Sequence, residues 1–358
     1  MLAPDGSPVA PRPYVGGQAI LEGVFMRAPR AVAMSVRRPS GEIVTDVQPY
    51  QPFFQRSRAL RAPLLRGVFI MIDSLVLGMR ALSWSAEQAA ADDDDSTAGV
   101  PAQPPAAPRQ ASLRERAALT ATMLVSLALG VLLFVAAPHL LTAGAGWLTG
   151  HELDVEGPAF HLVDGAIKLA IFFAYLALIR RSAEIRRVFA YHGAEHKTIH
   201  AYEAGLPLSI ENVRCQSRLH PRCGTSFLLF VVGISILVFA AAFPLLPTLP
   251  VDNRLLASLA QVAIKLPLTL PVAAVSYEII RLTSRFYTKP SLRWLAAPGL
   301  AMQRLTTEEP DDRQLEVAIA ALNAALAADQ AQGGQDLGLE GAAFSTGAAV
   351  LGEGAVQG

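Results

Sequence analysis

Four long apolar segments dominate the hydrophobic pattern of the chain. They cover residues 117–142, 160–179, 225–246 and 255–280. Each meets the length of roughly 20 residues that an α-helix needs to cross about 30 Å of hydrocarbon. The second segment carries Asp164 and Lys168, four residues apart, which can neutralise one another on one helical face. The fourth carries Lys265 and two prolines, which predicts a kinked helix packed against its neighbours.

The N-terminal part of the chain has two shorter patterns. Residues 34–48 alternate apolar and polar side chains on either side of Pro39–Gly41, which predicts a small β-hairpin. Residues 67–79 are apolar, lie between Arg66 and Arg80, and are too short to span a bilayer comfortably. They predict an interfacial or re-entrant helix, or else a buried helix of a cytosolic lobe. The fold class is therefore mainly α: a polytopic membrane protein with about four transmembrane helices.

Composition divides the chain further. Residues 85–112 contain an Asp run and a Pro-rich run, and the C-terminal residues are rich in Gly and Ala, so both are predicted to be disordered. Residues 311–328 begin with acidic residues and carry an apolar stripe, which predicts a helix. The predicted segments are 1–84 (N-terminal, cytosolic), 85–112 (linker), 113–290 (transmembrane core), 291–330 (C-terminal, cytosolic, helical) and 331–358 (tail).

The distribution of charge predicts the orientation in the membrane. The chain is 52% hydrophobic and 17% charged, against about 45–50% and about 25% in an ordinary soluble domain. Thirteen Lys and Arg precede the first span and eight lie in 180–224, whereas 143–159 and 247–254 hold only Arg254. The positive-inside rule then puts both termini and the 180–224 loop on the cytosolic side of the membrane. The first 60 residues lack the apolar region of a signal peptide, and a net charge of zero gives no reason to expect a nucleic-acid partner.

The cytosolic loop contains a concentration of possible metal ligands. His192, His196 and His200 follow one another at four-residue steps, and His192–His196 spell H-x-x-E-H, the reversed zinc-protease signature. Two histidines at i and i+4 on a helix can hold one tetrahedral ion. The third lies roughly 12 Å along the axis from the first, so all three cannot easily share one ion. Glu195 borders the same face and is the candidate general base.

The third ligand is open at this stage. The candidates are Glu278, Glu203 and His200, with His220, Cys223 and Glu22 as further possibilities. Glu278 lies at the cytosolic end of the fourth span, but salt bridges to nearby arginines are an alternative for it. Cys215 and Cys223 do not form a C-x-x-C pair, and two cysteines are too few for a disulfide scaffold. Glu22 and Gln18 lie among glycines and apolar residues, where Glu22 needs a cation such as Arg27 or a metal.

Four motifs resemble a known family. They are GGQAILEGVFMRAP (16–29), YHGAEHKTIHAYEAG (191–205), ENVRCQSRLHPRCGTSFL (211–228) and EEPDDRQLEVAIAAL (308–322). Together they resemble the YqhQ-like family of bacterial integral membrane proteins, a domain of unknown function that is described as a predicted metal-dependent enzyme. The resemblance covers roughly residues 14–322 and implies a polytopic inner-membrane protein. It supplies no substrate.

Three functional hypotheses follow. The first is a membrane-embedded metal-dependent hydrolase, with zinc as the expected divalent ion and an amide or ester in a membrane-embedded or membrane-tethered substrate. The second is a non-enzymatic scaffold or assembly factor that binds a protein or anionic lipid through the basic 180–224 loop. The third is a transporter, suggested by Asp164, Lys168 and Lys265 within spans, although no internal repeat is visible. The sequence does not indicate an oligomeric state.

Overall fold

The computed structural model describes residues 12–52, 62–90, 113–150, 153–154, 157–221, 223–246, 253–286, 294 and 296–332. The chain divides into two compact units. Unit 1 comprises the described residues of Met1–Asp94, Leu176–Val231 and Ala273–Gly358, and unit 2 comprises those of Asp95–Tyr175 and Val232–Val272.

The described elements are four strands and ten α-helices. The strands are β1 (Gly16–Ile20), β2 (Gly23–Arg27), β3 (Ala31–Arg37) and β4 (Ile43–Pro49). The helices are α1 (Leu65–Ala90), α2 (Leu113–Val131), α3 (Ala137–Thr149), α4 (Pro158–Ile179), α5 (Ala183–Glu203), α6 (Ile210–Arg214), α7 (Thr225–Ala242), α8 (Arg254–Phe286), α9 (Ala297–Thr306) and α10 (Asp312–Ala331). A π-helical turn, Leu132–Ala136, joins α2 to α3.

Unit 1 is built on an antiparallel sheet with the strand order β1-β2-β3-β4. The pairing of Arg37 with Ile43 around Pro39–Gly41 confirms the predicted hairpin, and strands β1 and β2 extend it to four strands. Both faces of the sheet are covered. Val24, Met26 and Ala33 pack with residues of α5 and α10 on one face, whereas Phe25, Val32 and Met34 pack with Ala81 of α1 on the other. Six of the seven β3 residues are consequently buried.

Helix α1 is longer than the sequence pattern predicts. It runs over 26 residues, to Ala90, so the first six residues of the predicted linker 85–112 are helical. The reason is that Leu77, Ala81 and Trp84, at helical spacing, pack on the sheet. Residues 91–112 and the tail from residue 333 lie outside the described residues.

Helix α10 confirms the helix predicted over 311–328. Asp311 and Gln314 form a capping box, in which each side chain bonds the other's backbone N–H. Leu315, Ala318 and Leu322 are completely buried against the sheet and α5.

Four helical segments are long and apolar enough to cross a membrane, in agreement with the predicted spans. They are Leu124–Thr149, Pro158–Ile179, Phe227–Leu245 and Leu256–Leu282. The chain is therefore a mainly α-helical membrane protein with four candidate spans. Most of their residues form unit 2, but the segment that carries the three histidines belongs to unit 1 together with the sheet and α10. The predicted single core, 113–290, does not anticipate this division, which arises because α5 packs on the sheet and on α10.

Candidate metal centre

Helix α5 holds the histidine cluster in the interior of unit 1. It begins after a break in the helix at Arg180–Ser182 and is buried from Ala190 to Ile199. Tyr191, Ala194 and Ile199 pack in the core with the sheet and α10. Because His192 and His196 are one helical turn apart, they lie on the same side of the helix, and their ring centroids are 4.4 Å apart.

Cys223 meets these two histidines from the loop before α7. The sulfur lies 3.2 Å from Nε2 of His192, and one ligand atom from each of the three residues lies within 4.8 Å of the others. All three side chains are buried. Two imidazole nitrogens and a sulfur in this arrangement match the ligand types of a transition-metal site.

Backbone carbonyls fix the orientation of both imidazole rings. Nδ1 of His192 lies 2.8 Å from the carbonyl oxygen of Thr306, and Nδ1 of His196 lies 2.6 Å from that of Arg218. A carbonyl oxygen only accepts hydrogen bonds, so each Nδ1 is the protonated, donating nitrogen. The lone pair of each neutral ring is then on Nε2. Ligand histidines in metal proteins are usually held in this way by a second partner.

The histidines and Cys223 stabilise one another's charged forms. Burial opposes ionisation of the Cys223 thiol, but His196 and His192 together hold its pKa well below the usual value. Burial likewise lowers the pKa of His192, but interaction with Cys223 and then Glu195 raises it to about 9. In the absence of an ion, His192 and Cys223 thus resemble an imidazolium–thiolate pair. The thiolate is the form of cysteine that binds metals.

Glu195 lies beside the cluster and against the backbone of β1. A Cβ atom on Gly17 would stand 2.9 Å from both Cγ and Oε1 of Glu195, so only glycine leaves room for this side chain. Burial raises the pKa of Glu195 to about 7, against the opposing effect of His196 and His192. Among the residues that the structure describes, neither Oε2 of Glu195 nor Nε2 of His196 has a hydrogen-bond partner.

A cavity of about 160 Å³ adjoins the cluster. Gly16–Gln18 of β1 line one part of it together with Arg27, and Glu195, His196 and Cys223 line another. The N-terminal glycine motif and the histidine motif, about 175 residues apart in the chain, therefore meet at one cavity.

The third histidine belongs to a neighbouring group. His200, Glu203 and His220 also offer ligand atoms within 4.8 Å of one another. Nε2 of His220 lies 3.4 Å from the Glu203 carboxylate, and Nε2 of His200 lies 3.0 Å from the Leu219 carbonyl oxygen. Burial, followed by the influence of His196, lowers the pKa of His220 to about 3, so this ring is neutral. The separation of His200 from His192 is the one expected from the helical rise.

The remaining candidates lie outside both groups. The Glu278 carboxylate accepts hydrogen bonds of 2.8 and 2.6 Å from Arg66, with which it forms an ion pair. Glu22 occupies the β1–β2 turn at a positive φ of 50° and forms an ion pair with Arg187 rather than Arg27. The Arg27 guanidinium instead lies 5.6 Å from the ring centroid of Tyr50.

In the sequence, Cys223 is one of the further possible ligands and Gly17 carries no signal of its own. Cys223 stands in a loop without helical or C-x-x-C spacing, so no periodicity marks it. The available signal was His220-Pro-Arg-Cys223-Gly, in which Pro and Gly indicate a directed loop.

We expect Gly17→Ala to destabilise unit 1 by about 1–3 kcal/mol, the usual effect of overpacking. Its Cβ would meet Glu195 and also the Phe25 carbonyl oxygen at 2.8 Å. Gly16→Ala is the matched control on the same strand, because its nearest neighbours are 3.8 Å away. Thermal unfolding followed by the fluorescence of Trp84, which packs on the sheet, measures both. Equal midpoints for the two variants would contradict the placement of Glu195.

The fold and the buried cluster define a class: a polytopic helical membrane protein with a small antiparallel sheet and a His/His/Cys group inside its sheet-containing unit. The chain belongs to the family described as "Protein of unknown function (DUF1385)", whose model matches residues 62–328. It is 32% identical over 318 residues to "Uncharacterized protein YqhQ" of Bacillus subtilis (strain 168), covering 87% of this chain and 92% of that protein. These matches confirm the resemblance noted in the motifs. No solved structure matches.

Proposed function

We propose that this chain is an integral membrane metal-dependent hydrolase, with its metal held by His192, His196 and Cys223. The observation that carries the proposal is the convergence of one ligand atom from each of His192, His196 and Cys223 in a buried place where Nε2 of His196 and Oε2 of Glu195 have no hydrogen-bond partner among the described residues. Burying a polar atom without a partner costs about 1–3 kcal/mol. A bound cation and a water molecule would remove that cost.

The donor set favours zinc. Imidazole together with thiolate suits Zn²⁺, and catalytic zinc sites keep three protein ligands and one open position. The carbonyls of Thr306 and Arg218 hold both imidazoles with Nδ1 as the donor, so Nε2 is the nitrogen that would bind the ion, and His192 would release its Nε2 proton on binding. When bound, the ion supplies Lewis acidity toward a carbonyl group and makes a nearby water more acidic.

The chain's own residues supply the remaining functions. Glu195 Oε2 is the atom placed to take a proton from water at the cavity and to return it to the leaving group. The backbone of Gly16–Gln18 and the Arg27 guanidinium line the cavity and would orient the substrate there. The basic residues of the 180–224 loop support a site on the cytosolic side by the positive-inside rule. We therefore infer an amide or ester substrate in a membrane-embedded or membrane-tethered molecule.

Metal content after purification in mild detergent tests the proposal. Elemental analysis that covers zinc, iron and copper is expected to find about one ion per chain in the wild type and almost none in His192→Ala/His196→Ala. Cys223→Ser is expected to lower the content strongly. Two variants serve as matched controls and should retain the metal: Cys215→Ser and Glu278→Gln. Cys215 is an exposed cysteine outside the site. Equally little metal in the wild type and the double variant would refute metal binding.

A metal-free cysteine hydrolase is a second candidate, favoured by the 3.2 Å distance between the Cys223 sulfur and His192 Nε2. In that case the thiolate itself would attack the carbonyl, the His192 imidazolium would protonate the leaving alcohol or amine, and water would then hydrolyse the thioester. Hydrolysis of an activated ester would then survive a strong chelator and be abolished in Cys223→Ser. Loss of hydrolysis on chelation, with recovery on addition of zinc, supports the metal-dependent function instead.

A further inference from the structure

Unit 2 contains a buried group of polar and charged side chains within its candidate membrane spans, separate from the metal centre. Its members are His139 of α3, His161, Asp164 and Lys168 of α4, and Gln261 and Lys265 of α8, none more than 7% exposed. Lys265 Nζ donates to Asp164 Oδ2 at 3.0 Å and to His139 Nδ1 at 3.1 Å. Lys168 Nζ lies 3.6 Å from the same carboxylate oxygen.

Several polar atoms of this group lack a hydrogen-bond partner among the described residues. They are His139 Nε2, both ring nitrogens of His161, Asp164 Oδ1 and Gln261 Oε1. Because His139 accepts from Lys265 at Nδ1, its Nε2 carries the proton and is a donor. Asp164 Oδ1 and Gln261 Oε1 are acceptors, and a neutral His161 ring offers one donor and one acceptor. A mixture of buried donors and acceptors matches bound water, which satisfies both, rather than an ion of one sign.

The charges of the group do not cancel. With both lysines protonated and Asp164 ionised, the group has two positive charges and one negative charge. Helix α7 lines it with Phe239, whose ring centroid is 5.1 Å from Lys168 Nζ and 5.6 Å from Lys265 Nζ, but no α7 residue is titratable. Asp154, before α4, is exposed. An unbalanced charge in apolar surroundings is costly, and loss of one proton leaves the group neutral.

The members of the group lie at successive positions along the axes of the membrane helices. His161 lies in the first turn of α4 and Lys168 seven residues further on, which is about 10 Å at 1.5 Å per residue. Gln261 and Lys265 likewise lie in the first half of α8. The polar side chains therefore form a column from the end where α4 and α8 begin towards the interior of the spans.

We propose that this column is a proton-exchange site inside the membrane. One proton leaves the Lys265 ammonium, passes through bound water to His161 and reaches the aqueous phase at the end where α4 and α8 begin. Uptake reverses the same path. After release, Asp164 and Lys168 remain as a neutral ion pair. The residues of the column belong to unit 2, whereas the proposed metal ligands belong to unit 1.

Charge displacement on a solid-supported membrane tests this proposal. Proteoliposomes of the full chain are adsorbed to the support and exposed to a rapid pH jump. The wild type is expected to give a transient current, because protons enter the low-dielectric interior. Asp164→Asn and Lys265→Met are expected to reduce the current to that of protein-free liposomes. Thr269→Val, which removes an exposed hydroxyl from the same helix as Lys265, is the matched control and should keep it.

The double variant Asp164→Asn/Lys265→Met guards against misfolding, because it removes one charge of each sign and leaves the net charge of the group unchanged. A monodisperse, helical double variant without current supports the proposal. A wild-type current no larger than that of protein-free liposomes overturns it. So does a full current in the folded double variant, because Lys265 would then not be the group that releases the proton.

Discussion

Glu195→Gln is expected to slow hydrolysis of an activated ester about 10²–10⁴-fold in kcat/KM, the usual contribution of a general base, while the metal content stays at the wild-type level. The substitution keeps the shape of the side chain beside Gly17 but removes its capacity to take a proton. His192, His196 and Cys223, the proposed ligands, are unchanged. The variant is therefore expected to bind metal as the wild type does but to lose most of its turnover.

Ester hydrolysis by the zinc-loaded protein in detergent micelles measures this effect. Glu211→Gln is the matched control, because Glu211 is an exposed carboxylate at the start of α6. This variant should hydrolyse the ester as fast as the wild type. Wild-type hydrolysis by Glu195→Gln would refute the proposed base and would favour the scaffold hypothesis. Simultaneous loss of metal and activity would instead assign Glu195 to holding the ligands.

The membrane architecture was predictable because its determinants are local. Length and hydropathy identify a span without reference to the rest of the chain, and the four predicted segments correspond to the four candidate spans. The hairpin around Pro39–Gly41 was equally local. Strands β1 and β2 were not predicted, because Gly16, Gly17 and Gly23 are unfavourable in strands. Tertiary contacts account for them: Gly17 leaves room for Glu195, and a Cβ on Gly23 would lie 2.2 Å from the Ser35 carbonyl oxygen.

The grouping of the candidate site residues can be predicted only as far as helical periodicity reaches. His192, Glu195 and His196 were identified because they share one helix, and the same geometry separated His200 from the first pair. Cys223 joins them from 27 residues further along the chain, across a loop whose path depends on tertiary packing. Glu278 was one of the candidate ligands because it is a carboxylate at the end of a span. Its partner, Arg66, is 212 residues away in sequence, so the ion pair could not be identified from local pattern.

Long-range contacts also changed the interpretation of the charges within the spans. The four-residue spacing of Asp164 and Lys168 predicted their ion pair, and the structure confirms it at 3.6 Å. Lys265 lies closer to the same carboxylate, at 3.0 Å, from a helix about 100 residues further on. The pair is therefore a triad with an excess positive charge, which is the basis for the proton-exchange site.

Gly193→Ala is expected to weaken the metal centre and to destabilise unit 1. A Cβ on Gly193 would stand 2.2 Å from the Glu308 carbonyl oxygen, a backbone atom that cannot move away by side-chain rotation. The segment after α9 is held on α5 by a 2.9 Å hydrogen bond from Glu308 N–H to the Phe189 carbonyl. Displacing that segment would also move the Thr306 carbonyl, which orients His192.

Gly193→Ala changes the free energy of unfolding through two effects of opposite sign. Alanine favours a helix over glycine by about 1 kcal/mol, whereas overpacking costs about 1–3 kcal/mol or more, so net destabilisation is expected. Loss of a partner that orients a ligand typically lowers metal affinity about 10–100-fold. Thermal unfolding and zinc competition with a chromophoric chelator measure the two quantities. Gly233→Ala of α7, whose Cβ meets nothing within 4 Å, is the control and should bind zinc as the wild type does. Unchanged zinc affinity in Gly193→Ala would mean that His192 keeps its orientation without the Thr306 carbonyl.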